Sequence, residues 1–532
     1  MERAARACYF LAHGHSRMTL APTRRQPYAL APLAAIALVM FVVHVATNAQ
    51  YGFHRDELAT VADARHLAWG YVVYPPLTAF FGRISIDMWG ATPRAIRVFP
   101  AIAESVIVML TGFMAAELGA TRRWQIVAAL AALVAPIAIV QGALFQYVSF
   151  DALWWVATAY FVIRALRSEN PHWWLAAGVT VGLGMMTKYT MAFFAVGLLV
   201  GLLLTPARRY LANRWLWIGV ALSLLIFLPH LIWEARHDWI TLTFLQHIHV
   251  RDVGQGRANG FLVQQLFLST CVLTVPLWLG GLYYLLFEPG AVRFRAVAWM
   301  YIVPLLILTF ADGRFYYLAP AYPMLLAAGA VAFEGWLAVR AERASHVTAR
   351  DATPSVMTAR VVIGILSVVA IASIALLPIG AVHSTLWKLH TEGVDHEYSE
   401  EIGWPELVRT VASVYDSLPP AQRTRTSILA GNYGEAGALD VYGPARHLPQ
   451  VISEVDSYFA RGYGSAPPES AIVLGYDMDD ALMLFDACRV VAHVTNSHGI
   501  VNEETRYHPD VLLCRGPSAD WPLRWERMRR FG

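Results

Sequence analysis

Charged side chains are scarce in this sequence. Asp, Glu, Lys and Arg make up 15% of its 532 residues, whereas a typical soluble domain carries about 25%. Hydrophobic residues make up 57% of the chain. These proportions exclude an ordinary soluble globular protein. The net charge of +3 is too small to indicate a nucleic-acid partner.

Cysteine is also rare, with four residues and no CxxC pair, so no zinc finger is indicated. Cys8 lies near the N-terminus and Cys271 in an apolar run, where packing is the simplest role. Cys488 and Cys514 both lie in the polar C-terminal part and could form a disulfide if that part is exported. The alternative is two unrelated thiols. The sequence also lacks a Gly-rich phosphate loop between a strand and a helix.

Long apolar runs dominate the first 380 residues. Each is close to the length that crosses about 30 Å of hydrocarbon as a helix. We count about eleven spans, with ten to thirteen allowed because several runs are short or broken by Pro and Gly. The predicted spans are 30–48, 95–118, 125–141, 152–166, 173–186, 190–204, 215–233, 261–287, 296–310, 317–339 and 361–382.

Basic residues follow these spans in a consistent alternation. With the Arg-rich N-terminal tail placed in the cytoplasm, every inner loop carries a basic cluster, as the positive-inside rule requires. The inner clusters are Arg122 and Arg123, Arg164 and Arg167, Arg208, Arg209 and Arg214, Arg293 and Arg295, and Arg340, Arg343, Arg350 and Arg360. The same parity places 49–94, 142–151, 187–189, 234–260, 311–316 and the C-terminal part outside.

The composition becomes polar after Val382. Residues 404–418 are patterned as an amphipathic helix, and 426–429, 471–474, 490–494 and 511–514 as short strands, with a helix over 479–485. The predicted fold is therefore mainly α, a polytopic membrane helix bundle with a small C-terminal α/β extracytoplasmic domain. The predicted domains are a cytoplasmic tail (1–28), a transmembrane domain (29–385, with a first outer loop over 49–94) and a soluble periplasmic domain (386–532).

An acidic pair, Asp56–Glu57, follows the first span. Adjacent carboxylates repel, so a purely structural reason for the pair is weak. A carboxylate here could accept a proton from an incoming hydroxyl or amine as a general base. The structural alternative is a helix N-cap at Asp56 with Glu57 in the first turn.

Further ionisable residues lie at the predicted outer ends of other spans. Asp151 begins one span, Lys188 ends another, and Arg314 precedes the aromatic pair Tyr316–Tyr317. Ionisable groups near membrane depth are costly and persist where they pair or line a polar cavity. Arg314 and Lys188 could bind a lipid phosphate, although for Lys188 alone snorkelling to ordinary lipid headgroups is the simpler interpretation.

Five motifs in order resemble a known family: HRDEL at 54–58, HLAWGYV before PPL at 66–77, SFDALWW at 149–155, TKYT at 187–190 and GRFYYLAPAYP at 313–323. Together they resemble the membrane glycosyltransferases of the C superfamily, in the branch of bacterial protein-mannosyltransferase and aminoarabinose-transferase-like proteins. The tail, with YGEAGALDVYG at 433–443 and CRGP at 514–517, resembles the same subgroup.

The resemblance implies a function. Such enzymes move a sugar from a polyprenyl-phosphate carrier to an acceptor on the outer face of the membrane, usually with inversion. It implies Asp56 as the catalytic base with Glu57 beside it and Asp151 as a second acid. It also implies Arg314 as a ligand of the donor phosphate, in a group that we extend to Lys188, Tyr316 and Tyr317.

The sequence departs from the family just before Pro75. Relatives often carry an acidic residue and a His or Lys there, and the acid can bind a divalent metal; here Val73 and Tyr74 take those places. The departure leaves a metal cofactor open. His237, His247 and His249 could supply ligands from another loop, but solvent-exposed His in a polar loop is the simpler interpretation.

We therefore expect an inverting glycosyltransferase of the bacterial inner membrane, with its N-terminus in the cytoplasm and its C-terminal domain in the periplasm. Its partners are a polyprenyl-phosphate-linked sugar, membrane lipid and an acceptor that is a lipid, a glycan or a protein. Two alternatives remain at this level: a polytopic transporter or flippase, and a non-catalytic envelope-assembly protein with the same fold. A transporter would place its polar residues near the bilayer midplane on repeated elements, and no repeat is visible.

Overall fold

A computed structural model describes residues 26–168, 170–345, 353–388, 391 and 396–532. Most of the predicted cytoplasmic tail, 1–28, and Cys8 lie outside the described residues.

The first part of the chain is helical. Its helices are α1 (Leu30–Thr47), α2 (Arg55–Arg65), α3 (Leu77–Trp89), α4 (Pro93–Ile96), α5 (Val98–Leu118), α6 (Arg122–Leu133), α7 (Pro136–Gly142), α8 (Tyr147–Arg167), α9 (Trp173–Met185), α10 (Thr190–Leu204), α11 (Arg214–Arg236), α12 (Ile240–Gly254), α13 (Phe261–Phe267), α14 (Val275–Phe287), α15 (Arg295–Phe310), α16 (Tyr322–Ser345), α17 (Thr353–Ser373) and α18 (Thr385–Lys388).

The polytopic helical bundle predicted from the apolar runs is confirmed. Among the described residues, six helices are long and apolar enough to cross a membrane, or nine if each of three bent pairs counts as one span. Two bends, of 69° and 90°, lie within the predicted spans 125–141 and 261–287, and the third, of 105°, follows the predicted span 190–204, before Pro206–Ala212. Proline at the first positions of the second segment explains two bends, since Pro136 and Pro206 end the preceding helix. The remaining predicted spans, 152–166 and 173–186, are the helices α8 and α9.

The C-terminal part contains the predicted amphipathic helix and a five-stranded sheet. Its elements are α19 (Trp404–Ser417), α20 (Pro420–Arg423), β1 (Thr426–Ala430), α21 (Tyr433–Tyr442), β2 (Val451–Ile452), α22 (Asp456–Arg461), β3 (Ser470–Leu474), α23 (Met478–Leu482), β4 (Phe485–His493), α24 (Glu503–Tyr507), β5 (Asp510–Pro517) and α25 (Trp521–Met528). The strand order is β2-β1-β3-β5-β4, parallel among β2, β1 and β3 and antiparallel among β3, β5 and β4.

Side chains alternate across this sheet and pack on both of its faces. Leu429 and Val473 point to a cluster with Trp521. On the opposite face, Ile428 belongs to a cluster that also contains Leu58, from the helix that follows the first span. The core of the C-terminal part is therefore continuous with the first outer segment, and the two are held together at one end of the bundle.

Candidate active site

A cavity of about 640 Å³ lies where the first outer segment, three helix ends and the C-terminal part meet. Its lining carries both carboxylates and cations. Among the lining residues are four of the predicted catalytic and phosphate-binding residues, namely Asp56, Lys188, Arg314 and Tyr317. These residues are separated by up to 261 positions in the chain, so the fold alone brings them together.

Asp56 lies in the first turn of α2 with 38% of its side chain exposed. His54, not Asp56, is the N-cap: its Nδ1 accepts the backbone N–H of Asp56 at 3.2 Å. The carboxylate of Asp56 accepts two hydrogen bonds, one from Gln146 Nε2 at 2.5 Å and one from the Tyr433 hydroxyl at 2.8 Å. The Asp56 carboxylate is therefore fixed by hydrogen bonds and still faces the cavity, which is the geometry that a general base requires.

Glu57 is placed differently from its neighbour. Its carboxylate is fully buried and accepts from Arg97 Nε at 2.7 Å and Nη2 at 2.6 Å, and from the backbone N–H of Phe145 at 2.7 Å. It also accepts the backbone N–H of His54, completing the capping box of α2. Glu57 is not among the residues that line the cavity, and its contacts are those of a structural ion-pair partner. A catalytic role for Glu57 stays a prediction that this geometry does not favour.

Lys188 is enclosed by aromatic rings. Its Nζ lies 3.9 Å from the ring centroid of Tyr317, 5.1 Å from that of Tyr147 and 5.2 Å from that of Tyr316. These distances are typical of cation–π contacts. Within the described part of the chain, no carboxylate oxygen lies within 4.0 Å of this ammonium. Burial lowers the pKa of Lys188 to about 7, and the Asp151 carboxylate opposes that shift. An anion bound in the cavity would favour the charged form of Lys188.

Arg314 already has a carboxylate partner. Its Nε and Nη2 donate to Asp252 at 2.6 and 2.8 Å in a two-pronged pair, and its Nη1 donates to the hydroxyl of Tyr316 at 3.2 Å. Arg251 and Arg257 lie within 3.6 Å of the same carboxylate. Burial raises the pKa of Asp252, but Arg314 and these neighbours outweigh it and lower that pKa. The group keeps a net positive charge at the cavity wall.

Asp151 lies behind the wall rather than on it. Its side chain is buried, and its oxygens accept from Trp155 Nε1 at 3.1 Å and from Thr190 Oγ1 at 2.7 Å. Thr190 itself lines the cavity. Asp151 supports the cavity wall through Thr190 and through its electrostatic interaction with Lys188. Its role as a second acid stays a prediction.

The positions that depart from the family have a structural explanation. The hydroxyl of Tyr74 donates to Asp63 Oδ2 at 2.8 Å, and Arg461 Nη2 donates to Asp63 Oδ1 at 2.5 Å. Burial raises the pKa of Asp63, and Arg461 opposes that rise. Asp63 thus joins the first outer segment to α22 of the C-terminal part through Arg461, and Tyr74 supports Asp63. Val73 adds an apolar part of the cavity wall.

The three candidate metal-binding histidines are not brought together. His237 stacks on Trp233 at 4.1 Å, His247 contacts the ring of Phe531 at 5.6 Å, and His249 lines the cavity. The described residues contain no group of three His, Cys, Asp or Glu side chains that could hold a metal ion. The three histidines therefore do not form a metal site.

Cys488 and Cys514 are bonded to each other. They are paired residues on the antiparallel strands β4 and β5, with Cα atoms 4.1 Å apart. Disulfides persist in oxidising compartments and are rare in the cytoplasm.

Sequence reasoning missed several residues of the site. Tyr433 and Gln146 hold Asp56, Tyr147 flanks Lys188, and Asp252 pairs with Arg314. Asp252 is an ionisable residue of a predicted outer segment. This position indicates that it lies near the site, but it does not predict that Asp252 pairs with Arg314. Tyr433 lies 377 positions from Asp56, and no local pattern links the two.

Comparisons with known proteins agree with this architecture. Residues 73–233 match the family described as dolichyl-phosphate-mannose-protein mannosyltransferase. Lipid A galacturonosyltransferase RgtD of Rhizobium johnstonii is 26% identical over 268 residues, which are 48% of this chain and 54% of that protein. Lipopolysaccharide core galacturonosyltransferase RgtB of the same organism is 26% identical over 235 residues, 43% of this chain and 47% of that protein. The matches thus span about half the length of these curated relatives.

Solved structures resemble the fold of most of the chain. ArnT from Cupriavidus metallidurans bound to undecaprenyl phosphate aligns with a TM-score of 0.56 and 17% identity, over 91% of this chain and 97% of that one. Its apo form aligns with the same TM-score at 16% identity. At this identity the likeness concerns the fold. Together with the family match, it confirms the resemblance that the five motifs predicted.

Proposed function

We propose that this chain, a membrane glycosyltransferase of the C superfamily by motifs and fold, is an inverting enzyme that moves a sugar from a polyprenyl-phosphate carrier to an acceptor on the outer face of the bacterial inner membrane. The observation that carries the proposal is the shared cavity: the Asp56 carboxylate and the cations Lys188 and Arg314 line one space of about 640 Å³. A base and a phosphate-binding group are the two parts that this reaction needs.

The reaction is a single displacement at the anomeric carbon. The acceptor oxygen or nitrogen attacks that carbon and gives its proton to Asp56. The bond from the anomeric carbon to the phosphate oxygen breaks, and the carrier leaves as a polyprenyl phosphate. Lys188 and the positively charged group around Arg314 stabilise the phosphate as it leaves. Tyr316 and Tyr317 hold these cations in place through the contacts described above.

The donor class is supported by the position of the cavity and by the comparisons. Tyr147 lies on the cavity wall at the first residue of α8, a helix of the membrane bundle. A lipid-linked sugar has its phosphate at headgroup depth, which is the level of such a helix end. The ArnT structure contains undecaprenyl phosphate, and the names of both curated relatives specify glycolipid acceptors. We propose a polyprenyl-phosphate carrier on the basis of the ArnT structure. The acceptor is a lipid, a glycan or a protein.

The proposed orientation rests on a second cleft. Arg167, Arg209 and Arg293, from three predicted inner loops, line a cleft of about 870 Å³. Helix α8 begins at Tyr147, which lines the candidate site, and ends at Arg167, which lines this cleft. At 1.5 Å per residue, its length separates the two by about 30 Å, the thickness of the hydrocarbon core. The arginines then face the cytoplasm, and the candidate site and the disulfide face the periplasm.

A transfer assay tests the proposal. Purified protein is incubated with radiolabelled polyprenyl-phosphate-linked sugars, including galacturonic acid and mannose, and with cell-envelope acceptors. We expect labelled product with the wild type and a loss of at least a hundredfold with Asp56→Asn, which keeps the shape but removes the base. Asp87→Asn is the matched control, because Asp87 is an exposed carboxylate on α3 paired only with Arg83. Full transfer by Asp56→Asn would refute the assignment of the base.

A further inference from the structure

The Asp56 carboxylate is held by a donor from each of two parts of the chain. Gln146 comes from the residue before α8, and Tyr433 comes from the first residue of α21 in the C-terminal part. We propose that Tyr433 and Gln146 are positioning residues for the catalytic base, so that the C-terminal part completes the active site of the membrane bundle. This inference rests on the proposed function for its kinetic consequence, but its structural content can be measured without sugar transfer.

Two hydrogen bonds fix the direction of the carboxylate. The Tyr433 hydroxyl donates to Oδ1 of Asp56 at 2.8 Å, and Gln146 Nε2 donates to Oδ2 at 2.5 Å. Each oxygen retains a further lone pair, so an acceptor hydroxyl can still bind from the cavity. Donors to a carboxylate favour its charged form, which is the form that accepts a proton. Burial and the neighbouring Asp56 raise the pKa of Tyr433, so its hydroxyl stays protonated and remains a donor.

The ring of Tyr433 is itself fixed. The guanidinium carbon of Arg55 lies 4.9 Å from its ring centroid, and Arg55 forms an ion pair with Glu503 of α24. The tyrosine is therefore packed against α2, the same helix that carries Asp56, and its hydroxyl is directed to the carboxylate one residue further along.

The close contact of α21 with α2 depends on small residues. A Cβ added at Gly437 would lie 2.7 Å from the carbonyl carbon and Cβ of Leu58, and one added at Gly434 would lie 3.0 Å from Arg55 Cβ. Larger side chains at these positions would force the helices apart, and the hydroxyl of Tyr433 would then be out of hydrogen-bond range. The two glycines therefore allow α21 to lie close enough to α2 for the Tyr433 hydroxyl to reach Asp56.

The test uses Tyr433→Phe, which removes the hydroxyl and keeps the ring stacked under Arg55. Labelling of Asp56 by a water-soluble carbodiimide, which reacts with protonated carboxyls, is followed against pH in the full-length protein by peptide mass spectrometry. Asp56 is 38% exposed and therefore accessible. We expect the pH of half-labelling to rise by roughly one unit in Tyr433→Phe, because a charge-assisted hydrogen bond is lost. Gln146→Leu should shift it in the same direction.

The matched control is Tyr442→Phe, the same change at the other end of α21, where the ring packs on Phe53. It should leave the labelling profile unchanged. An unchanged profile in Tyr433→Phe overturns the inference, whatever the transfer assay shows. A shifted profile with no transfer by the wild type supports the positioning and counts against the proposed function instead.

When transfer is observed, the kinetics provide a second measurement. In Tyr433→Phe we expect kcat to fall about tenfold to a hundredfold, the acid limb of the pH–rate profile to move to higher pH, and KM for the donor to stay unchanged. A purely structural role would lower the amount of folded enzyme and leave the acid limb where it is.

Discussion

At the scale of single residues, Asp56 and Glu57 show how neighbouring carboxylates take different roles. Both lie in the first turn of α2, but the helix directs them about 100° apart. Asp56 faces a wet cavity, whereas Glu57 faces Arg97 in the interior. Their identity and spacing alone leave two roles open, a catalytic base and a helix cap. Which one it is depends on what packs on each face, and this information is absent from the local sequence.

Arg97 is the residue on which that interior arrangement depends. It pairs with Glu57 and with Glu401, whose Oε1 lies 3.1 Å from Nη2, and it donates to the backbone oxygen of Asn48 at 3.0 Å. Arg97→Met would leave two buried carboxylates without a cation. We expect the free energy of unfolding to fall by about 3–5 kcal/mol, measured by denaturation in mixed micelles.

The control for this prediction is Arg83→Met. Arg83 forms an exposed ion pair with Asp87 on α3, and such pairs contribute about 0.2–1 kcal/mol. Equal stability losses in the two variants would show that the Arg97 pairs contribute no more than surface contacts. Arg97→Lys should fall in between, because it keeps the charge but loses the planar fork.

At the scale of elements, the sequence predicts what the bilayer dictates. A chain in hydrocarbon must satisfy its own backbone groups, so an apolar run of about 20 residues is a helix in almost any context. For this reason the predicted runs are helical in the structure. The bends at Pro136 and Pro206 are marked by the prolines, but the local sequence does not predict their angles of 69° and 105°.

The elements of the sheet are predicted less completely from the sequence. The four strands predicted from β-branched runs are present, whereas β2 (Val451–Ile452) is too short to give a periodic signal. The sequence predicts a helix over 479–485 and a strand over 490–494, whereas in the structure the helix ends at Leu482 and β4 already begins at Phe485. The contact of α21 with α2, which places Tyr433 on Asp56, is likewise a tertiary property.

At the scale of the whole molecule, several carboxyls of the C-terminal part are buried. Burial raises the pKa of Glu454, Asp456 and Glu504 to about 7 each, against about 4 in an unfolded chain. The native state therefore binds more protons than the unfolded state. The stability that these groups contribute is fully present below about pH 4 and is lost as the pH rises through about 7.

We therefore expect the unfolding midpoint to be higher at pH 5 than at pH 8, measured by denaturation in mixed micelles. The lowered pKa of Asp252 acts in the opposite sense, but only below its ordinary value of 3.8, outside this range. Burial also lowers the pKa of Lys188 to about 7, which acts in the opposite sense only above about pH 7, whereas the three carboxyls act over the whole range below it. Glu504→Gln should reduce the difference, and Glu469→Gln, at an exposed position on the same part, should not. A midpoint that rises from pH 5 to pH 8 would contradict this prediction.

The orientation of the molecule decides whether the site can meet its substrates. If the arginine cleft faces the cytoplasm, the cavity opens to the periplasm, where a flipped lipid-linked sugar and an envelope acceptor are both available. In a background with Cys8 and Cys271 replaced by Ser, a cysteine at the exposed position of Ala445 should react with a membrane-impermeant maleimide in intact spheroplasts. Ala212→Cys, exposed beside the cleft in the segment Pro206–Ala212, should react only after permeabilisation. The reverse pattern would place Asp56 in the cytoplasm, and the acceptor would then have to be a cytoplasmic molecule.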